Sequence, residues 1–198
     1  MQTKETEAMN LIINKAIPIA ISIGDNELIG GLYKNVALLF YNSRDFSKAI
    51  EYCNLAELFL NKLKKQTPQS NGIMGEVLLL KAECLMRKDK LPEAKIELNK
   101  TYSIIKNYPE SNFNSLYLSN LGYYQMKQKN YPEALKTFDL GLQNAEKYKN
   151  TNITERIKLF KHQIYQELKN FKQSNTILKE VYQKTSYKRT KQEVMREF

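Results

Sequence analysis

A chain of 198 residues, 42% of them hydrophobic, has room for one domain or one short array of repeats and enough apolar material for a continuous core. No stretch approaches the roughly 18 consecutive apolar residues of a membrane-spanning helix, and the start, MQTKETEAMN, carries two glutamates where an export signal has a basic and then an apolar region. As written the chain reads as soluble and cytoplasmic, or periplasmic if it is a piece of a membrane-anchored sensor, and its formal charge of +10 is uneven: five basic and seven acidic residues over 1–60, then 26 against 14.

In chain order, the first predicted element is an alanine-spaced helix over 5–24, in EAMNLIINKAIPIAISIGD. A first unit follows over 28–65. Its opening helix shows Tyr33, Val36, Ala37 and Phe40, the i, i+3, i+4, i+7 stripe of one apolar face, and after the polar turn NSRD its second helix holds RDFSKAIEYCNLA from 44. The polar stretch NKLKKQTPQSNG, 61–72, reads as a flexible connection within one domain.

The second unit, 73–107, repeats the scheme with Leu78, Ala82 and Leu85, the turn RKDK, and DKLPEAKIELNKT from 89. The third, 113–148, has Leu118, Leu121 and Gly122, the turn KQKN, and KNYPEALKTFDLG from 129. The fourth, 153–185, turns at LKN into KNFKQSNTILKEV from 169, with His162 and Ser174 where the others carry alanine or glycine. Residues 186–198 then read as a charged helix with Val194 and Phe198 four apart on one face. Both ends read as cut from something larger.

Aligned on the second helix, the units share small residues at Ala49, Ala94, Ala134 and Ser174, spaced by 45, 40 and 40. Pro92 and Pro132 sit in the first turn of that helix, where a missing N–H costs nothing. Ala37, Ala82 and Gly122 let the paired helices approach, and Phe46, Leu91, Tyr131 and Phe171 are expected to fill between neighbouring units. Each unit is helix, tight turn, helix, so the fold class is all-α.

This pattern resembles the tetratricopeptide repeat, most fully in LYLSNLGYYQMKQKNYPEALKTFDLGL, 116–142, and next in LYKNVALLFYNSRDFSKAIEYCNLA, 32–56. The resemblance covers about residues 28–185, and the helix at 5–24 is similar to the second half of one more repeat. It implies a single α-solenoid domain of stacked antiparallel helix hairpins over 1–198. The usual repeat is about 34 residues, so the longer spacing here implies longer helices or loops. A terminal repeat is commonly atypical, as the fourth unit is.

Catalytic constellations are absent from the sequence pattern, and no enzyme activity, metal or cofactor is expected. His162 is the single histidine and reads as structural. Cys53 and Cys84 lie in apolar helical patterns without paired spacing and read as core. Glu51, Glu57, Glu76 and Glu83 have helix-surface spacing, and the glycines of IGDNELIGG lack the strand-loop-helix setting of a phosphate cradle.

In tetratricopeptide arrays the first helix of each unit lines a concave groove, and the resemblance places Lys34, Asn35, Tyr41, Glu83, Arg87, Asn120, Tyr123, Lys127 and Gln163 there as peptide-binding candidates. Asparagine offers both donor and acceptor to a peptide backbone. The resemblance implies that role for Asn35 and Asn120; the alternative is that their amides bond neighbouring helices or water. Met86 and Met126 are either adaptable contacts or plain packing. A clamp for a C-terminal carboxylate is disfavoured, because Leu38, Leu116 and Phe160 stand where it needs asparagine and basic groups.

The expected function is noncatalytic recognition of a protein or peptide. Long-unit repeats of this kind resemble the sensory or regulatory segments of bacterial transcriptional regulators and signalling proteins, which implies an attached DNA-binding or kinase module outside this chain. The alternative is a free-standing scaffold that joins proteins, and a homodimer is compatible with either. Direct nucleic-acid binding is the weaker reading: SYKRTKQ and EKYKN cluster positive charge, but elsewhere lysines are interleaved with glutamates as on a solvated surface.

Overall fold

The computed structural model describes residues 4–107 and 113–185. The charged helix expected over 186–198, with Val194, Phe198 and the whole SYKRTKQ cluster, lies outside them. Every regular element among the described residues is helical, so the fold is all-α. The helices are α1 (Lys4–Leu11), α2 (Ile17–Ile23), α3 (Asn26–Asn42), α4 (Phe46–Leu60), α5 (Pro68–Arg87), α6 (Leu91–Ile105), α7 (Phe113–Lys127), α8 (Tyr131–Lys147), α9 (Thr151–Glu167) and α10 (Phe171–Thr185).

A π-helical turn, Ile12–Ala16, joins α1 to α2, and the Ile17 N–H donates to the Ile12 carbonyl. The cause is one residue on. Pro18 has no N–H and its ring crowds the carbonyl four residues back, so a widened turn carries the helix through. Gly24, at φ 75°, ends α2 by donating to the carbonyls of Ala20 and Ile21.

Two compact units divide the chain, Met1–Pro109 and Glu110–Phe198. In the first, α3 pairs with α4 and α5 with α6; α5 also lies against α3 and α4, and α2 against α3. In the second, α7 pairs with α8 and α9 with α10, while α9 lies against α7 and α8. These are the four expected hairpins. The extra length over a short repeat is shared by helix and connection: α5 alone has 20 residues and seven residues, 61–67, separate α4 from α5, while each hairpin turn has only three residues between helices.

One turn recurs. Arg44, Asp89, Lys129 and Lys169 take φ between 56° and 63° in the hairpin turns. The following residue donates back five positions, from Asp45, Lys90, Asn130 and Asn170 to Phe40, Leu85, Gln125 and Tyr165, at 2.8 to 3.0 Å. This Schellman-type closure satisfies a carbonyl that the helix end leaves bare. Lys149 repeats it between α8 and α9, with φ 55° and a 2.8 Å bond from the Asn150 N–H to the Ala145 carbonyl.

Of the stretch 61–72, expected as a connection, residues 61–67 connect α4 to α5 and 68–72 are already helix. Pro68 opens α5, and a capping box closes on it: the Ser70 N–H donates to Thr67 Oγ1 at 2.9 Å and the Thr67 N–H to Ser70 Oγ at 2.8 Å. The last five residues of the polar run therefore open a helix.

The small positions do what their spacing implied: Ala37, Ala49, Ala82, Ala94 and Ala134 are fully buried, and Ser174 nearly so. At Gly122 an added Cβ would overlap the ring of Phe138, and at Gly30 it would come within 2.6 Å of Leu60 Cγ. The core of the first unit gathers Ala37, Cys53, Ala56, Leu60, Met74, Val77 and Leu78. In the second, Tyr123 and Phe138 both stack on Phe160, with centroids 4.7 and 5.6 Å away. Phe171, expected to fill between units, is instead 61% exposed.

Candidate functional site

The first unit holds an open cleft of 610 Å³. Its walls come from the N-terminal halves of α3 and α5 and from Leu63 in the connection between α4 and α5. Asp25 caps α3 by accepting the Leu28 N–H at 3.0 Å, which sets the start of that helix at the cleft's edge. Leu28, Gly31 and Leu32 then line it from α3, and Gln69 and Ile73 from α5. Two of the residues expected to bind peptide, Lys34 and Asn35, are brought together here. Asn35 is exposed, while Lys34 Nζ is paired with Glu76 Oε2 at 2.7 Å, a link from α3 to α5.

Three further candidates of this unit form a separate internal cluster. Glu83 is only 3% exposed. It accepts the Tyr41 hydroxyl at 2.5 Å, and Arg87 Nη2 lies 3.4 Å from it. The expectation of a solvated Glu83 at the groove surface is therefore corrected: a buried carboxylate needs charged or hydrogen-bonding partners, and Tyr41 and Arg87 supply them.

Glu57 also departs from the solvated helix face its spacing implied. It pairs with Lys81 and with Lys100, each at 3.0 Å, and Glu97 pairs with the same two lysines at 3.0 and 3.1 Å. Four alternating charges thus tie α4, α5 and α6. Burial pushes the Glu57 carboxyl up, but hydrogen bonds from Lys81 and Lys100 outweigh it and hold the group below its usual range. For Lys100, burial pulls down and the hydrogen bonds to Glu57 and Glu97 overcome it, leaving the ammonium raised.

The second unit contains Asn120, Tyr123, Lys127 and Gln163. Asn120 is 1% exposed and spends its Nδ2 on the Leu116 carbonyl at 3.0 Å, while its buried Oδ1 has no hydrogen-bond partner among the described residues. Tyr123 is 5% exposed and contributes to the aromatic stack. Neither presents the open surface expected of it: the Asn120 donor goes to its own helix, and Tyr123 serves packing. Lys127 and Gln163 are half-buried. His162 Nδ1 meets Ser174 Oγ at 2.8 Å and the Ser174 carbonyl at 3.1 Å, so the two atypical residues of the fourth hairpin bond to each other.

The cleft offers hydrogen-bonding groups, charge and apolar wall. Both cysteines are buried, and burial pushes the Cys53 thiol up to about 12 and Cys84 upward as well. Neither supplies a thiolate near neutral pH. Among the described residues no group of three or more His, Cys, Asp or Glu is placed to hold a metal, and no helix is long and apolar enough to cross a membrane.

Sequence reasoning missed Asp25, Glu27, Leu63, Gln69 and Ile73 as lining residues. A signal existed in part: Leu28 and Gly31, in the stretch IGDNELIGG, and Leu32 just after it form an apolar edge beside a helix cap.

No family model matches the sequence, and no curated protein matches it. Among solved structures, the chain is similar to the crystal structure of BtubC (BKLC) from P. vanneervenii, with a TM-score of 0.71 over 96% of this chain and 77% of that one. At 13% identity, that likeness speaks to the helical fold alone.

Proposed function

We propose that this chain is a noncatalytic array of tetratricopeptide type that binds a protein or peptide, as the sensory or regulatory segment of a bacterial regulator or signalling protein. The observation that carries the reading is the cleft of the first unit, where Lys34 and Asn35 share one opening with apolar side chains. Such a mixture suits an extended segment: apolar groups take its side chains, and the Asn35 amide offers a donor and an acceptor to its backbone. The repeated small positions and the shared turn support the repeat assignment. Signalling then requires that the bound segment favour one arrangement of the hairpins over another by its contacts. The output module of this proposal lies outside the chain.

The test is a random peptide library displayed on phage and panned against the whole chain, with selected peptides measured by calorimetry on the parent and on Asn35→Ala. Loss of one amide hydrogen bond of about 1 to 1.5 kcal/mol lowers affinity roughly five- to tenfold. Peptides that bind Asn35→Ala as tightly as the parent would remove the cleft as the site, and failure to select any peptide would remove the reading.

A further inference from the structure

We infer that the cleft selects a partner segment in which a bulky apolar side chain stands beside a lysine or arginine. This rests on the peptide-binding reading of the same cleft and adds the chemistry of the partner. Leu28, Leu32, Leu63 and Ile73 supply apolar wall, and Gly31 leaves it open: a Cβ there would meet nothing closer than Ile73 Cδ1 at 3.9 Å. A side chain from outside can occupy that space.

The rim gives the sign of charge. Asp25 and Glu27 both line the cleft, and Lys34, the one cation among the lining residues, is already neutralised by Glu76 at 2.7 Å. Asp25 uses an oxygen on the Leu28 N–H, and Glu27 an oxygen on the Thr67 hydroxyl at 3.2 Å. A carboxylate offers about four lone-pair sites, so both keep capacity for an ammonium or guanidinium group. Lys62, next to Leu63 in sequence, turns its ammonium over the Phe59 ring at 4.1 Å. Among the described residues Asp25 and Glu27 have no ion-pair partner and the lining's one cation is paired with Glu76, so the lining residues carry net negative charge in a chain whose formal charge is +10. Asn35 and Gln69 remain for the partner's backbone.

The experiment uses the whole chain and peptides selected from the random phage library. The expected consensus pairs leucine, isoleucine or phenylalanine with arginine or lysine. Asp25→Asn combined with Glu27→Gln, which keeps a capping side chain at the helix start, should weaken such peptides about tenfold and flatten their salt dependence. Replacing the peptide's basic residue by glutamine should cost affinity on the parent and nothing on that double variant. Gly31→Leu, checked for an unchanged circular dichroism spectrum, should abolish binding by filling the space. Peptides that are acidic, or that bind the double variant undiminished while losing affinity on Asn35→Ala, overturn the inference and leave the cleft as a binding site. No selected peptide at all overturns both.

Discussion

The two compact units build the same element, a pair of stacked hairpins, and close it with different chemistry. In Met1–Pro109 the contacts that cross between helices include those among four alternating charges, Lys81 with Glu57 and Glu97 and Lys100 with Glu57, and the buried Glu83 with Tyr41. In Glu110–Phe198 the buried fill is the rings of Tyr123, Phe138 and Phe160, and its cross-helix ion pairs, Lys158 with Glu180 and Lys161 with Asp139, have an exposed carboxylate. The first unit has rings too, Phe40 on Tyr52 and Tyr33 near Phe59, but only partly buried. The shared part is narrow: small residues where helices approach, and a left-handed residue in each turn. Between those points the fill is free to be ionic or aromatic, provided that buried polar atoms find partners and rings find room. The ionic solution is unforgiving of losing one member; the aromatic solution is unforgiving of added volume.

That contrast can be broken most sharply at Lys81. Lys81→Met takes one shared cation from Glu57 and the buried Glu97 and leaves both to the more exposed Lys100. The cost should lie at the lower end of the penalty of about 3 to 5 kcal/mol for leaving a buried charge unpaired. Urea unfolding followed by circular dichroism should show the loss. The pH dependence sharpens it. Because the folded Glu57 value is lowered, its stabilisation is present above the ordinary carboxylate range and is lost as pH falls through the folded value. Because the folded Lys100 value is raised, its contribution is present below the ordinary lysine value and is lost as pH rises through the raised one. The parent should weaken towards acid more steeply than Lys81→Met; equal slopes would show that the network adds nothing to the acid response.

A smaller effect is expected in the other unit from Gly122→Ala, whose new methyl meets the fully buried Phe138 ring. Overpacking of this kind costs about 1 to 3 kcal/mol, and Phe138→Leu in the same chain should recover part of it. If Gly122→Ala unfolds at the parent's midpoint, the ring has room that the structure denies it.

The smallest effect should be alike in both units, since the turn is common to them. Lys129 sits at φ 60°, and Asp89 at 56°. Glycine accepts that region without steric cost, so Lys129→Gly and Asp89→Gly should each stabilise by about 1 kcal/mol at most, offset in part by the freedom glycine adds to the unfolded chain. A loss of stability in either would mean that the side chain contributes more than the backbone conformation costs.

The all-α fold and its hairpin turns were legible because their signals are local. Ala49, Ala94, Ala134 and Ser174 recur at near-constant spacing, Pro92 and Pro132 mark helix starts, and the hairpins stand where those residues placed them. The start of α5 was missed although its capping residues, Thr67 and Ser70, lie three apart; the polarity of 61–72 outweighed them, and a serine in place of the usual glutamate hid the box.

The candidate site was legible only in part. Helical periodicity separates an apolar face from a polar one, but it does not say which polar residue meets a partner. Glu83, Glu57 and Asn120 look alike as surface positions, and their burial depends on what another helix sets against them. The deciding partners of the two carboxylates are remote in sequence: Tyr41 is 42 residues from Glu83, and Lys81 and Lys100 are 24 and 43 from Glu57. Asp25 and Glu27 likewise share a cleft with Gln69 and Ile73 only because α3 packs against α5. Composition and spacing thus set the helices and their pairing, through contacts within a few turns. Packing between hairpins then chose which charges are internal and which face an opening, because that choice is made by atoms that no local pattern brings together.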